Sequence, residues 1–296
     1  MQVIETIEGV RKALDAERHA GRTVGLVPTM GYLHAGHRSL IERAAADNDV
    51  VAVTLFVNPL QFAPTEDLAA YPRDLPADQA LATEAGAGYL FAPSVEEMYG
   101  AGSPLTAVNV ARVSEPMEGR ARPTHFAGVA TVVAKLFAIA GPCRAYFGEK
   151  DYQQLAVIRR MVVDLSLPVE VVGCPTVREA DGLALSSRNV YLTPEERAVA
   201  PLLHRALIAG RAAIEAGERD PAAVRRVMHE LISAEPRFTL DYAEVVDAHD
   251  LSTPTRLSGD VRLLVAARLG KARLIDNTEA VAISEADQIK TGATAP

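Results

Sequence analysis

The amino-terminal part of the chain, up to Pro175, alternates short apolar runs with amphipathic segments, and this alternation constrains the fold most strongly. The run VVAVTLFV at 50–57 is almost continuously apolar, as is typical of a strand covered on both faces. Shorter runs repeat the pattern at 23–27, 88–92, 144–147 and 169–173. Helical patterns lie between the runs at 37–47, 77–84, 126–140 and 151–165. We therefore expect an α/β fold with a Rossmann-like, doubly wound parallel sheet.

The character of the sequence changes after Pro175. Long helical patterns cover 194–216 and 221–234, each with proline in its first turn, and strand patterns follow at 239–246, 261–269 and 271–275. The sequence therefore predicts two domains, a Rossmann-like domain over 1–176 and a smaller α+β domain over 177–296. The polar, Gly/Ala-rich residues from about 284 predict a flexible tail.

The charge balance excludes a general nucleic-acid binder. Lys and Arg number 30 against 38 Asp and Glu, which gives a net charge of -8, and no basic run exceeds two residues. An anionic substrate would therefore need local cations, helix N-termini or a metal ion. The two cysteines, Cys143 and Cys174, form no disulfide framework and are expected to be reduced thiols. No secretory signal and no apolar run of about 20 residues is visible, so we expect a soluble, cytoplasmic protein without membrane contact.

The segment VPTMGYLHAGH at 27–37 is the most informative motif, because it joins the first predicted strand to the first predicted helix. Doubly wound folds bind nucleotide phosphates at this junction. His34 and His37 are three residues apart, so both imidazoles can face one phosphoryl group. In the plainer alternative, one histidine caps the helix and the other is a solvated surface residue. A zinc site is disfavoured, because HExxH is absent and the other histidines have no matching spacing.

Two further motifs follow predicted strands. FVNPLQF at 56–62 carries Asn58 and Gln61, whose amides both donate and accept hydrogen bonds and suit a small substrate rich in oxygen atoms. Asn-Pro is equally typical of a simple turn. FGEKDYQQ at 147–154 places Lys150 where its charge can meet a phosphate, and Asp151 with Gln154 resembles a capping box for the next helix. Otherwise, Lys150 is a solvated surface lysine.

Two more segments contain candidate ligands. TVREADGLALSSRN at 176–189 groups Ser186, Ser187 and Arg188 in a pattern that suits polyphosphate oxygens, although Ser-Ser is common in loops. Arg178 can form an ordinary surface ion pair with nearby acids. In RARPTHFAG at 120–128, His125 can contact substrate or cap the following helix, and we favour the structural role.

Taken together, these motifs closely resemble those of the pantothenate synthetases (pantoate–β-alanine ligases), a family of the HxGH-containing nucleotidylyl-transferase superfamily. The resemblance rests on PTMGYLHAGH, FVNPLQF, YPRDL, RPTHFAGV, FGEKDYQQL and VREADGLALSSRN, in this order, and is loose towards the carboxyl terminus. It implies a Rossmann-like fold and an AMP-forming ligase of pantothenate and coenzyme A biosynthesis. Pantoate would attack the α-phosphorus of ATP to give pantoyl adenylate and pyrophosphate, and β-alanine would then displace AMP. The resemblance also implies a homodimer.

The resemblance also implies residue roles. His37, His34, Lys150 and Arg188 would be catalytic, with both histidines stabilising charge. The first domain would bind nucleotide and pantoate, and the second would close over the site. The nucleotide contacts would be Met30, Gly31, Tyr32, Leu33, His34, Ala35, Gly36, His37, Gly148, Glu149, Lys150, Asp151, Val177, Leu185, Ser186, Ser187 and Arg188. The substrate contacts would be Asn58, Gln61 and Gln154.

Two positions depart from the family pattern. The family often carries two adjacent acids where this chain has Ala77 and Asp78, so Asp78 alone is the candidate contact for the Mg²⁺ that accompanies ATP. Leu185 replaces a usual methionine at nearly equal volume. Two other functions stay open, a nucleotidylyl transferase for another small acceptor and a catalytically silent nucleotide-binding module.

Overall fold

The computed structural model describes residues 1–62, 68, 71–102 and 104–283. The predicted flexible tail from 284 lies outside the described residues. The chain divides into two compact units, with the boundary between Val177 and Arg178.

The first unit contains a six-stranded parallel sheet in the order β1-β4-β3-β2-β5-β6. The strands are β1 (Gln2–Ile4), β2 (Val24–Thr29), β3 (Val50–Leu55), β4 (Tyr89–Phe91), β5 (Cys143–Gly148) and β6 (Val169–Cys174). The helices are α1 (Ile7–His19), α2 (Ala35–Asp47), α3 (Leu75–Glu84), α4 (Val95–Tyr99), α5 (Glu118–Ala121), α6 (His125–Ala140) and α7 (Tyr152–Asp164). The predicted fold class is confirmed.

Both faces of this sheet are covered. Val27 of β2 packs with Ile41 of α2 and Ala82 of α3 in one buried cluster. Its neighbour Leu26 points to the opposite face and is also buried, and α1 and α6 both contact β2. The near-continuous apolar strands therefore reflect burial on two sides. Both cysteines are free thiols.

The second unit packs helices against a three-stranded antiparallel sheet in the order β7-β8-β9. Its helices are α8 (Pro194–Val199), α9 (Leu202–Glu215) and α10 (Pro221–Ser233), and its strands are β7 (Phe238–Asp247), β8 (Gly259–Leu269) and β9 (Ala272–Ala282). The prediction of one helix over 194–216 is wrong, because Pro201 lacks an N–H and separates α8 from α9. Among the described residues, no helix is both long and apolar enough to cross a membrane.

Candidate active site

The candidate site of the first unit lies at the carboxyl edge of its sheet. β2 lies between β3 and β5, so the carboxyl ends of these three parallel strands are neighbours. Met30–His37 follows β2, Asn58–Gln61 follows β3, and Glu149–Asp151 follows β5 as a short 3-10 turn. β2 and β5 also flank the point where the strand order reverses, which is where ligands bind in open α/β sheets.

The two histidines lie at the N-terminus of α2, and each ring accepts a hydrogen bond from a backbone N–H of the first turn. His34 is the N-cap residue, and its Nδ1 accepts a hydrogen bond from Gly36 N–H at 3.1 Å. His37 Nδ1 accepts from His34 N–H at 3.3 Å, and the ring centroids are 4.2 Å apart. Because both Nδ1 atoms are acceptors, each neutral ring carries its proton on Nε2. The motif thus caps the helix and presents two Nε2–H donors, so the structural and functional alternatives coexist.

Both rings favour the neutral state. The pKa of His37 is lowered to about 3, chiefly by burial and also by the neighbouring His34 and Lys150, while Asp151 opposes the shift. Burial also lowers the pKa of His34, with a contribution in the same direction from Lys150 and an opposing one from Asp151. In the free protein, these histidines are therefore hydrogen-bond donors without charge at neutral pH.

The low pKa of His37 predicts a specific dependence of stability on pH. The folded value is about 3 and the ordinary value is 6.5, so the unfolded chain takes up the extra proton first as pH falls. The contribution of His37 to the free energy of unfolding therefore falls progressively between these two pH values. His37→Ala should lose less stability than the wild type on going from about pH 7.5 to about pH 5. Denaturant unfolding at both pH values measures this, and His229→Ala, on an exposed site of α10, should behave like the wild type.

Lys150 supplies positive charge beside the histidines. Its side chain is 16% exposed, and its Nζ lies 3.6 Å from Asp151 Oδ1. A β-carbon added to Gly148 would meet no atom within 4 Å, so the backbone at the end of β5 borders open space. The predicted capping box at Asp151 is wrong, since its side chain makes no capping hydrogen bond to α7. Asp151 is therefore a half-exposed acid next to Lys150.

Asp78 supports the turn that precedes the histidines. Its side chain is buried on α3, its Oδ2 accepts from Tyr32 N–H at 2.9 Å, and its Oδ1 accepts from Leu33 N–H at 2.6 Å. Gly31 adopts its positive φ of 86° without strain, whereas Tyr32 has a φ of 53°, which is costly for a residue other than glycine and needs such support.

The contacts of Asp78 do not fit the predicted magnesium ligand. Both carboxylate oxygens are occupied by backbone donors, and the residue is only 3% exposed. Across residues 1–62, 68, 71–102 and 104–283, no group of three or more His, Cys, Asp or Glu side chains could hold a metal ion. The structure therefore assigns Asp78 to the turn, and any Mg²⁺ would depend on the phosphates it accompanies.

Both ends of the Asn58 amide are hydrogen-bonded to protein partners, which favours a supporting role beside Gln61. Its Nδ2 donates to Gly128 carbonyl at 3.1 Å and to Gln61 Oε1 at 3.3 Å. Its Oδ1 accepts from Tyr99 hydroxyl at 2.8 Å and from Leu60 N–H at 3.3 Å. Asn58 thus positions the buried Gln61, whose Nε2 donates to the sulfur of Met30.

His125 is held against the backbone of Gln61, which favours a structural role over a direct substrate contact. Its Nδ1 lies 2.9 Å from the carbonyl oxygen of Gln61, and Arg122 Nη1 lies 3.1 Å from its Nε2. His125 therefore fixes the backbone of Gln61.

Neighbouring glutamines at the start of α7 have different roles. Gln153 is buried, and it binds the backbone of Val113, Pro116 and Glu118. Gln154 is half-buried, and in the described part of the chain no protein group hydrogen-bonds its amide. Gln154 is thus available to a ligand, whereas Gln153 anchors a loop that no sequence pattern singled out.

The remaining predicted nucleotide contacts lie at or beyond the boundary of the units. Val177 is the last residue of the first unit. Leu185, Ser186 and Ser187 are half-buried in the second unit, and Ser186 Oγ accepts from Arg188 N–H at 3.2 Å to cap a 3-10 turn over Ser187–Tyr191. The Arg188 side chain is exposed and has no protein partner among the residues described.

Comparisons with known proteins show the family of the chain. The family model for pantoate-beta-alanine ligase matches residues 2–279. The chain belongs to the pantoate–β-alanine ligase family. The pantothenate synthetase of Moorella thermoacetica is 54% identical over 277 residues, covering 94% of this chain and 98% of that protein. The pantothenate synthetase of Roseiflexus sp. is also 54% identical, with the same coverage.

Solved structures of the family match the fold. Pantothenate synthetase of Thermus thermophilus has a TM-score of 0.89 at 53% identity, covering 95% of this chain and all of that chain (100%). Pantoate-beta-alanine ligase of Francisella tularensis, complexed with beta-gamma ATP and beta-alanine, has a TM-score of 0.76 at 32% identity, covering 94% and 97% of the two chains. The resemblance found in the sequence is confirmed, and the chain is a ligase of this family.

Proposed function

We propose that this chain uses ATP to condense pantoate with β-alanine through a pantoyl-adenylate intermediate. The observation that carries the proposal is the placement of two Nε2–H donors and Lys150 on neighbouring strand ends, beside the amide of Gln61. The histidines are neutral donors and Lys150 is a positively charged donor, and together they can bind a phosphoryl group. The neighbouring amides can bind a hydroxy acid. The complex of the Francisella relative supports ATP and β-alanine as substrates.

In the first step, a carboxylate oxygen of pantoate attacks the α-phosphorus of ATP. The bond from that phosphorus to its bridging oxygen breaks, and pyrophosphate leaves with the electron pair. His34 and His37 donate Nε2–H to phosphoryl oxygens, and Lys150 offsets their growing charge. Ser186, Ser187 and Arg188 bind the polyphosphate, and the backbone of Gly31, Gly36 and Gly148 lets it approach closely.

In the second step, the amine of β-alanine attacks the acyl carbon of the mixed anhydride. The carbon–oxygen bond breaks, AMP leaves as the anion, and the amine loses a proton. Gln61 and Gln154 hold the pantoyl group throughout, so catalysis is mainly positioning and charge stabilisation. Bound Mg²⁺ would add neutralisation of phosphate charge.

The resemblance extends the proposal to further residues and to the cell. Further nucleotide contacts in this proposal are Tyr32, Leu33, Ala35, Glu149, Asp151, Val177 and Leu185. The two units act as a nucleotide- and pantoate-binding domain and a closing domain. The protein works as a cytoplasmic homodimer.

Product analysis tests the proposed reaction. Incubation with ATP, Mg²⁺, pantoate and β-alanine should yield pantothenate, AMP and pyrophosphate in equal amounts, as measured by mass spectrometry. A nucleotidylyl transferase for another acceptor would leave β-alanine unconsumed. A silent binding module would form no product.

The two amides give a second prediction. If Gln61 and Gln154 hold pantoate, Gln61→Ala and Gln154→Ala should each weaken pantoate binding by about tenfold, since each removes roughly one hydrogen-bonding group. ATP binding should change by less than about twofold. Isothermal titration with each ligand measures both constants. Gln79→Ala, on the exposed face of α3, is the control and should leave both unchanged. Equal losses for both ligands would contradict the assignment.

A further inference from the structure

A short hairpin opens the second unit and leads directly into Leu185–Arg188. Arg178 and Ala184 form an isolated antiparallel bridge. Within it, Glu179 N–H donates to the carbonyl oxygen of Leu183 at 2.8 Å. Leu183 and Ala184 are buried in the core of the unit, so the end of the hairpin is fixed.

The hairpin is held by a bidentate ion pair. Arg178 Nη1 lies 2.7 Å from Asp276 Oδ2, and Arg178 Nη2 lies 2.9 Å from Asp276 Oδ1. The same guanidinium also donates to the carbonyl oxygens of Gly182 at 3.0 Å and Asn277 at 3.2 Å. The Asp276 side chain is only 4% exposed, so this pair is shielded from water. Its bidentate contact also requires one specific orientation of the two side chains. It replaces the surface pair considered for Arg178 from the sequence.

A second arginine holds the tip of the hairpin. Arg197 of α8 lies 2.6 Å from both Glu179 Oε2 and Asp181 Oδ2. These side chains are between 31% and 44% exposed, so we expect a weaker contribution than from the buried pair.

The strand that carries Asp276 also contacts the proposed phosphate-binding segment. β9 packs against the 3-10 turn Ser187–Tyr191. Asn189 closes this turn onto the hairpin, because its Nδ2 donates to the carbonyl oxygen of Ala184 at 3.1 Å. The backbone of Arg188 is therefore tied to the hairpin and to β9, while its side chain is exposed.

We propose that Arg178 and Asp276 are positioning residues that hold the backbone of Ser186–Arg188 in the geometry that binds the polyphosphate of ATP. This inference rests on the proposed function. Neither residue needs to touch the nucleotide. The pair keeps an exposed loop in one conformation before ATP arrives, so binding does not have to order it. A misplacement of about 1 Å can cost up to about a hundredfold in rate.

A double-mutant cycle of Arg178→Lys with Arg188→Ala tests the inference. Lysine keeps the charge but cannot reproduce the bidentate contact. Arg178→Lys should lower kcat/KM for ATP by about tenfold and leave pantoate affinity unchanged. In the Arg188→Ala background it should lower the rate by a smaller factor, at most about twofold, because the only charged group that it positions in Ser186–Arg188 is gone. Arg211→Lys disturbs only the exposed pair with Glu215 on α9 and should match the wild type.

The outcomes separate the two proposals. If Arg178→Lys costs the same factor with and without Arg188, the pair only stabilises the unit, and the positioning role is overturned. If Arg188→Ala keeps wild-type activity, Arg188 does not bind phosphate as the proposed function states. The positioning role then falls with it. Should Arg178→Lys not fold, Arg197→Gln at the exposed tip replaces it in the same cycle. It should lower the rate about twofold to threefold only when Arg188 is present, and an equal loss in both backgrounds would overturn the role.

Discussion

Replacing His37 by alanine is expected to lower turnover by about 10²–10³-fold, the effect of removing one preorganised donor at a developing oxyanion. The Nδ1 of His37 already accepts from His34 N–H, so its Nε2–H is the donor that would be lost. ATP affinity should fall much less, because Lys150 and His34 remain. Steady-state rates and ATP titration measure the two effects separately.

Two variants sharpen this experiment. Glutamine supplies a neutral N–H donor, so His37→Gln should retain more activity than His37→Ala if His37 acts as a donor without transferring a proton. The exposed His229→Ala is the matched control and should keep wild-type turnover. His37→Ala activity within about threefold of the wild type would contradict the role given to this residue, since one such donor is worth far more.

Replacing Gly128 by alanine is expected to produce a large loss of stability in the first unit. A β-carbon there would lie 2.2 Å from the carbonyl oxygen of Leu60 and 2.6 Å from Gln61 N, so α6 would have to move away from the turn that holds Asn58. Overpacking of this kind costs about 1–3 kcal/mol. For a unit of this size, that corresponds to a fall of roughly 2–12 °C in melting temperature. Pantoate binding should weaken with it.

Gly102→Ala provides the control for this change. A β-carbon at Gly102 would meet no atom within 4 Å, so its melting temperature should stay close to that of the wild type. Calorimetry measures the temperatures, and titration measures pantoate binding. A Gly128→Ala protein as stable as Gly102→Ala would show that the close approach of α6 to Leu60 is not required.

The sequence was sufficient to predict the parallel sheet and its ligand-binding edge. Runs such as 50–57 are apolar throughout because both faces of β3 are covered, and the HxGH motif directly follows β2. The polar motifs were recognisable because each of them directly follows an apolar strand. The identity of neighbouring strands, by contrast, depends on long-range pairing that no local pattern encodes.

The sequence was insufficient where a side chain's role depends on distant partners. Asp78 is separated from Tyr32 by 46 residues, so its support of the turn was invisible and it was taken for a metal contact. Asn58 depends on Tyr99 and on Gly128, 41 and 70 residues away. The sequence contained one local signal for the contact with Gly128. A glycine inside a helix is unfavourable by about 1 kcal/mol, so its presence there points to close packing.

Exchange of labelled pyrophosphate into ATP tests the adenylate mechanism most directly. With ATP, Mg²⁺ and pantoate present and β-alanine absent, the label should enter ATP, because the first step is reversible and needs no amine. Omitting pantoate should abolish exchange, since no carboxylate is then available to attack the α-phosphorus. Pantoate-dependent exchange without β-alanine is the result this account predicts. Exchange that requires β-alanine, or formation of ADP and phosphate, would contradict it.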